Sequence, residues 1–266
     1  MDATTYGHRP AVQPQIPASV YQAPAALPAT RRYQLRMSSC SADLDHVFRL
    51  RFQVFHLELG AGLASSLMDE KDEDAFDAVC DHLMVEDTQT GRVVGTYRMQ
   101  SGLTALAKLG YYSAREFDLT PYEPLRPAML ELGRACIHRE HRSMQVLLLL
   151  WRGIIDHAQR QSLRYLIGCS SLTSTRPADG AAAYAGLHNF LAAPELRTVP
   201  QAAFALPLVE NDGQHLDPPK LLRAYLAMGA HICGPPALDR EFGSIDFLTL
   251  MDLAALSPAG QARFLR

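Results

Sequence analysis

The sequence has no excess of positive charge: 25 lysines and arginines stand against 28 aspartates and glutamates, a net charge of −3. A general nucleic-acid binder is normally basic, so that class is excluded. Long apolar runs are also missing. The most conspicuous, Val146 to Trp151, is far too short to cross a bilayer. No charged start followed by an apolar stretch opens the chain, so no secretory signal is expected. Cysteine is sparse, and Cys40, Cys80, Cys136, Cys169 and Cys233 form an odd, widely spaced set without any C-x-x-C. That set fits reduced thiols in the cytoplasm rather than a disulfide framework or a zinc site. "GAGLAS" at Gly60 follows no strand, and "GCSS" at Gly168 is not a G-x-S-x-G elbow. A dinucleotide fingerprint and a serine-hydrolase nucleophile therefore both lack support. His138 and His141 have a metal-like spacing that no carboxylate or cysteine pattern completes, so a solvated turn and no metal are expected.

What is present describes a folded protein. A chain of 266 residues that is 48% apolar and 20% charged can bury a sizeable core. Residues 1–31 are rich in Pro, Ala and Gln and show neither the helical nor the strand period, which predicts a disordered tail before one domain over 32–266. "RRYQLRMSS" alternates as a first strand. In "DLDHVFRLRFQVFHLELG", Val47, Leu50, Val54 and Leu57 recur at helical spacing, with Gly60 at the expected C-terminal cap. The acidic stretch Asp69–Asp77 reads as a solvated loop. "DHLMVEDTQTGRVVGTYRMQ" is a hairpin turning at Gly91. "AMLELGRACI" and "LRYLIGCSSL" read as strands joined by a helix that Ser143 would cap, which predicts a parallel pair with a crossover. A further helix is signalled by Asp217 as cap, Pro218 in its first turn and Gly234 past its end, and "GSIDFLTLMDL" closes the chain as a strand.

This order, an antiparallel front joined to a strand–helix–strand core, predicts an α/β fold: a mixed sheet flanked by helices that looks like the GCN5-related N-acyltransferase (GNAT) fold. The stretches "DAFDAVCDHLMVEDTQTGRVVGTYRM", "ELGRACIHREHRSMQVLLLLWRGI", "YLIGCSS" and "PPKLLRAYLAMGAHICGPPALDREFGSIDFLTLMDL" resemble the ornithine-lipid acyltransferase family. A more distant similarity is to acyl-homoserine-lactone synthases and N-acyl amino acid synthases. Those families share R-x-x-x-F on the first helix, an acidic D-x-x-D, an arginine at the end of the hairpin and E-x-x-R on the next strand. Here the positions are Arg51 and Phe55, Asp74 and Asp77, Arg98, and Glu131 with Arg134.

The resemblance implies transfer of a 3-hydroxyacyl chain from acyl carrier protein to the α-amine of ornithine, the first step of ornithine lipid synthesis. Other acceptors, as in the two more distant families, and a carrier-binding module without catalysis remain open alternatives. Aminolysis of a thioester needs a neutral amine, and a partly buried carboxylate can take the proton, which makes Glu131 the candidate base. The resemblance places an oxyanion-binding backbone N–H at a bulge in the same strand. Residues three apart on a regular strand face opposite ways, so Glu131 and Arg134 can share a face only through a bulge, expected at Gly133. Arg98 and Arg134 would organise the acidic site or orient the substrate carboxylate, while Arg51, Phe55, Asp74 and Asp77 would bind substrate. These charges equally fit a purely structural ion network, and Asp69–Asp77 could equally attract the side-chain ammonium of ornithine. His82 is an alternative base that reads more simply as an exposed turn residue. "HREHRSMQ" lies where strand gives way to helix, so Arg139, Arg142 and Ser143 are candidates to hold the phosphate of a 4′-phosphopantetheine arm. The glycine-rich loop of coenzyme-A-dependent relatives is missing, which favours a carrier protein over acyl-coenzyme A. No bound cofactor is expected, and a lipid product would allow peripheral contact with the inner membrane.

Overall fold

Alternating residues in Tyr33–Met37 form β1, which pairs antiparallel with β2 (Asp81–Asp87), and β2 turns through Thr88–Gly91 into β3 (Arg92–Ser101). This computed structural model describes residues 32–62, 64–207, 209, 216–256 and 260; the expected tail, 1–31, lies outside them. Gly91 takes a φ of +68° at the hairpin turn, a conformation open to glycine at little steric cost. β3 then pairs antiparallel with β4 (Met129–Ile137), and β4 runs parallel to β5 (Tyr165–Leu172). The crossover between them is α3 (Met144–Arg160), whose Ser143 cap accepts the Val146 N–H at 3.4 Å, as the sequence predicts. β8 (Ser244–Asp252) continues the sheet beyond β5 and carries the short edge strands β6 (His231–Ile232) and β7 (Ala237–Asp239).

Two faces of this sheet are covered differently. Leu130, Leu166, Tyr97 and Met251 pack under Val146, Leu150, Trp151 and Ile154 of α3 and Tyr225 of α5 (Lys220–Met228). On the opposite face Met84, Val93 and Cys136 meet Val47, Phe48, Leu50 and Val54 from α1 (Ser41–Phe52) and the turn that follows it. Met129, Ile167 and Leu250 meet Tyr111, Phe117 and Tyr122 on that same face. Two helices the sequence did not suggest, α2 (Gly102–Ala107) and α4 (Pro177–Gly186), cover the flanks.

Several expectations are corrected. α1 does not run on as an α-helix: Gln53–Glu58 widen into a π-helical turn, with Gly60 just beyond it at φ +63°. The wider turn shifts the phase of everything after it, so Phe55 is buried at 7% exposure while Leu57 stands out at 69%. The last helix starts later and stops earlier than its signals suggested. Pro219, not Asp217, precedes its first residue, and Gly229 ends it at φ +105°. Asp217 instead pairs with Arg223 at 3.7 Å, and Gly234 lies past β6.

Candidate active site

β4 and β5 are paired over only three residues, from Met129↔Tyr165 to Glu131↔Ile167. Beyond that point β4 stays with β3 and β5 with β8, so the sheet forks. Gly168 stands in the crotch, where a Cβ would come within 2.2 Å of the Leu132 carbonyl oxygen. The bulge predicted in β4 is present, one residue later than expected. Arg98 pairs with Gly133 and Thr96 with Cys136, leaving an extra residue on β4, and Arg134 rather than Gly133 takes the left-handed backbone at φ +48°. A non-glycine residue there stores strain, and this one is held by its side-chain bonds. The inserted residue puts Arg134 on the face of Glu131.

A cavity of about 260 Å³ occupies the fork. Its walls belong to the two faces of the sheet. On the α3 side it is lined by Tyr97, Trp151, Leu166, Leu221, Tyr225 and Met251, with the Tyr97 and Tyr225 hydroxyls hydrogen-bonded to each other. On the α1 side the wall is polar: Arg98, Gln100, Tyr112, Ser113, Glu116, Glu131 and Arg134. Phe55 lines it as well, edge-on to Phe242 at 5.4 Å.

Glu131 is 5% exposed, and its two carboxylate oxygens accept the backbone N–H groups of Ser113 at 2.8 Å and Tyr112 at 2.9 Å. Burial pushes its carboxyl above the ordinary glutamate value, against the opposing pull of those two N–H groups and of Arg98. Tyr112 and Ser113 had no signal in the sequence, because they meet Glu131 only through the tertiary fold.

The other charged candidates do converge. Arg51, wholly buried, donates to Asp77 at 2.8 Å and lies 3.1 Å from His82 Nδ1. Arg98 donates to Asp74 at 2.7 Å and Asp77 at 3.2 Å, and Arg134 to Asp74 at 3.0 Å. Asp72, expected in a solvated loop, is instead fully buried and ion-paired with Arg134 at 3.4 Å. Burial alone would raise the Asp77 carboxyl, but Arg51 and Arg98 outweigh it and hold it to about 2. Asp72 and Asp77 thus lie in a buried network of three aspartates and three arginines, and Asp74 caps the turn Ala75–Ala78. Arg51, Asp74 and Asp77 stand behind the cavity wall rather than in it. His82 is not an exposed turn residue either: it is 1% exposed on β2, bonded to Arg51 and the Asp77 carbonyl.

The basic turn is partly engaged. Arg142 donates to the Ile137 carbonyl at 3.0 Å and pairs with Glu58, whereas Arg139 is exposed and makes no ion pair among the described residues. His138, Glu140 and His141 bring possible ligand atoms within 4.8 Å of one another. Tyr33 holds His141 Nδ1 at 3.0 Å, Gln53 approaches His138 Nε2 at 2.9 Å, and the Glu140 N–H donates to His138 Nδ1 at 3.3 Å.

The family model of an acetyltransferase (GNAT) domain matches residues 50–152, the stretch from α1 to α3 that includes Arg98, Glu131 and Arg134. Among solved structures, an N-acyl amino acid synthase from uncultured soil microbes, FeeM, superposes with a TM-score of 0.53 at 9% identity over 87% of this chain and 98% of that one. The AHL synthase LasI superposes with a TM-score of 0.50 at 14% identity over 87% and 94%. At such identities these two speak for the fold alone. An L-ornithine N(alpha)-acyltransferase of Brucella abortus (strain 2308) is 32% identical over 240 residues, covering 84% of this chain and 85% of its own. One of Rhodobacter capsulatus is 33% identical over 240 residues, covering 85% and 92%. With the fork, the bulge and the buried Glu131 in place on a GNAT fold, identity at this level over nearly the whole domain makes the chain a member of the L-ornithine N(alpha)-acyltransferase family.

Proposed function

We propose that residues 32–266 form an N-acyltransferase domain that moves a 3-hydroxyacyl chain from an acyl carrier protein to the α-amine of ornithine, opening ornithine lipid synthesis. One observation carries this reading: the cavity at the fork is lined from both faces of the sheet, with an apolar wall on one and Glu131 among charged residues on the other. Such a site takes an acyl chain and an amino acid from opposite sides and brings them together at the fork.

The chemistry follows from the positions. Glu131, raised above its ordinary value by burial, accepts a proton from the α-ammonium. The freed nitrogen attacks the thioester carbonyl carbon; a C–N bond forms, the C–S bond breaks, and the nitrogen's surplus proton passes to the departing pantetheine sulfur, leaving an amide and a thiol while Glu131 returns its proton to solvent. Arg134 and Ala135 have no partner residue in either neighbouring strand, so backbone N–H groups at the bulge are suited to the carbonyl oxygen as it becomes negative. Arg98 and Arg134 lie 4.9 and 5.2 Å from the Tyr112 ring centroid and fix the polar wall. Arg139, Arg142 and Ser143 lie outside the cavity, at the start of α3, where a phosphodiester of the donor arm would meet the helix N-terminus. Among the described residues no helix is long and apolar enough to cross a membrane. Exposed Leu57, Leu67 and Met68 suit a cytoplasmic protein that touches the inner membrane surface.

Thiol release with 3-hydroxyacyl carrier protein and a panel of amines tests the reading, products being weighed by mass spectrometry. Acylated ornithine is the expected product, and preference for glycine, tyrosine or S-adenosylmethionine would replace the acceptor. Glu131→Gln should lower kcat about 10²–10⁴-fold with carrier binding retained, and should abolish an acid limb lying above the ordinary glutamate value. The sign follows from the role: a base must be ionised, so activity falls as pH drops through its raised value. Wild-type turnover in Glu131→Gln would remove Glu131 from the chemistry.

A further inference from the structure

Charge is unevenly balanced on the polar side of the fork. Behind the wall, Asp72, Asp74 and Asp77 are matched by Arg51, Arg98 and Arg134. Glu116, Asp239 and Asp246 form a second trio, 2%, 6% and 4% exposed, whose carboxylate oxygens lie within 4.8 Å of one another and which lines the cavity itself. No ion pair among the described residues reaches that trio; nearby Arg115 pairs with Glu241 at 3.2 Å instead. Asp239 accepts the backbone N–H groups of Glu241 and Phe242 at 2.9 Å, and Asp246 accepts the Ser244 hydroxyl at 3.2 Å. The trio is thus built and oriented, and among the described residues no basic side chain pairs with it.

A second observation on the same wall points to a ligand. Gln100, 3% exposed and paired with Glu131 in the β3–β4 register, has both side-chain amide atoms without a hydrogen bond. Glu116 Oε2 is equally unbonded. Buried polar atoms are nearly always satisfied, so atoms left open along a cavity mark where a polar ligand completes the bonding. Burial, and then the neighbouring Asp246, push the Glu116 carboxyl up, so Glu116 holds a proton that an arriving cation would displace.

We infer that Glu116, Asp239 and Asp246 receive the side-chain ammonium of a diamino acid acceptor and thereby select it over amino acids with an uncharged side chain. The inference rests on the N-acyl transfer reading above and assigns the specificity of that site. Spacing supports it. One 3₁₀ turn, Tyr112–Arg115, offers its Tyr112 and Ser113 N–H groups to Glu131, and Glu116 closes its other end with an N–H to the Ser113 carbonyl at 3.1 Å. Three residues of such a turn rise roughly 6 Å, a span that the three methylenes of ornithine bridge. The α-amine then lies at Glu131 and the second ammonium at Glu116.

The test needs no mutation at first. Wild-type enzyme with acyl carrier protein as donor receives ornithine, lysine, 2,4-diaminobutyrate and norvaline, the last matching ornithine in length without the second amine. A kcat/KM for ornithine on the order of 10² above norvaline is expected, the worth of a charge-assisted bond made in a closed site. Asp246→Asn and Glu116→Gln, each checked by thermal melting, should bring that ratio below about tenfold. Equal use of norvaline and ornithine by the wild type, or an unchanged ratio in both folded variants, would overturn the inference and leave N-acyl transfer standing. Turnover of no amine at all would remove both. Calorimetry with Ca²⁺, Mg²⁺ and Mn²⁺ closes the remaining route: a stoichiometric divalent ion lost in Glu116→Gln would reassign the trio to a metal.

Discussion

Arg51 has no exposed surface, and its guanidinium is shared between Asp77 and His82. Replacing it with methionine keeps the volume but leaves Asp77 with Arg98 as its remaining arginine partner. Breaking a buried pair from one side costs about 3–5 kcal/mol, so Arg51→Met should lower the urea midpoint accordingly. The loss should also depend on pH. Asp77 is held to about 2 when folded, below its unfolded value, so its contribution is present above roughly pH 4 and fades as pH falls toward 2. Wild type and variant should therefore converge in stability in strong acid; a constant gap down to pH 2 would contradict the pairing. At this scale the sequence was legible where residues sit in short motifs. Arg51, Asp74, Asp77, Arg98 and Arg134 do gather, and Glu131 lies on the same face. Glu116, Asp239 and Asp246 gave no signal, because they come from a turn and two late strands whose meeting depends on the whole sheet.

Elements show where periodicity misleads. Leu57 continues the helical spacing of Val47, Leu50 and Val54, yet the π-helical turn rotates it into solvent and brings Phe55 to the cavity. No composition rule marks a π turn, so that shift was invisible, as were α2 and α4, whose small residues carry little pattern. The hairpin, the crossover helix and its Ser143 cap were legible because each combines a period with a terminal residue of specific chemistry. The fork makes a sharper demand. Gly168→Ala would drive a methyl group into the Leu132 carbonyl oxygen, and backbone on both sides leaves nothing flexible to give way. A loss of about 1–3 kcal/mol in stability is expected, with kcat/KM falling further than the melting shift alone explains. Leu57→Gln is its control and should change stability by less than about 0.5 kcal/mol.

Across the whole molecule, near-neutral charge conceals local order. Arg139 and Arg152 are exposed near the start of α3 and along it and make no ion pair among the described residues, whereas Arg142, Arg160 and Arg164 are paired with Glu58, Asp156 and Asp252. If an acidic carrier docks there, Arg139→Glu with Arg152→Glu should raise KM for the acyl carrier protein at least about tenfold at low salt, and less at high salt. KM for ornithine, bound on the other face, should hold. An unchanged carrier KM would place docking elsewhere. The fork has one more consequence, for the order of events. Because the cavity's two walls belong to opposite faces of the sheet, the proposed donor and acceptor would not queue for one doorway. On that reading neither would have to depart before the other arrives, no acyl group would have to be parked on the protein between visits, and transfer would be complete in a single encounter of three bodies.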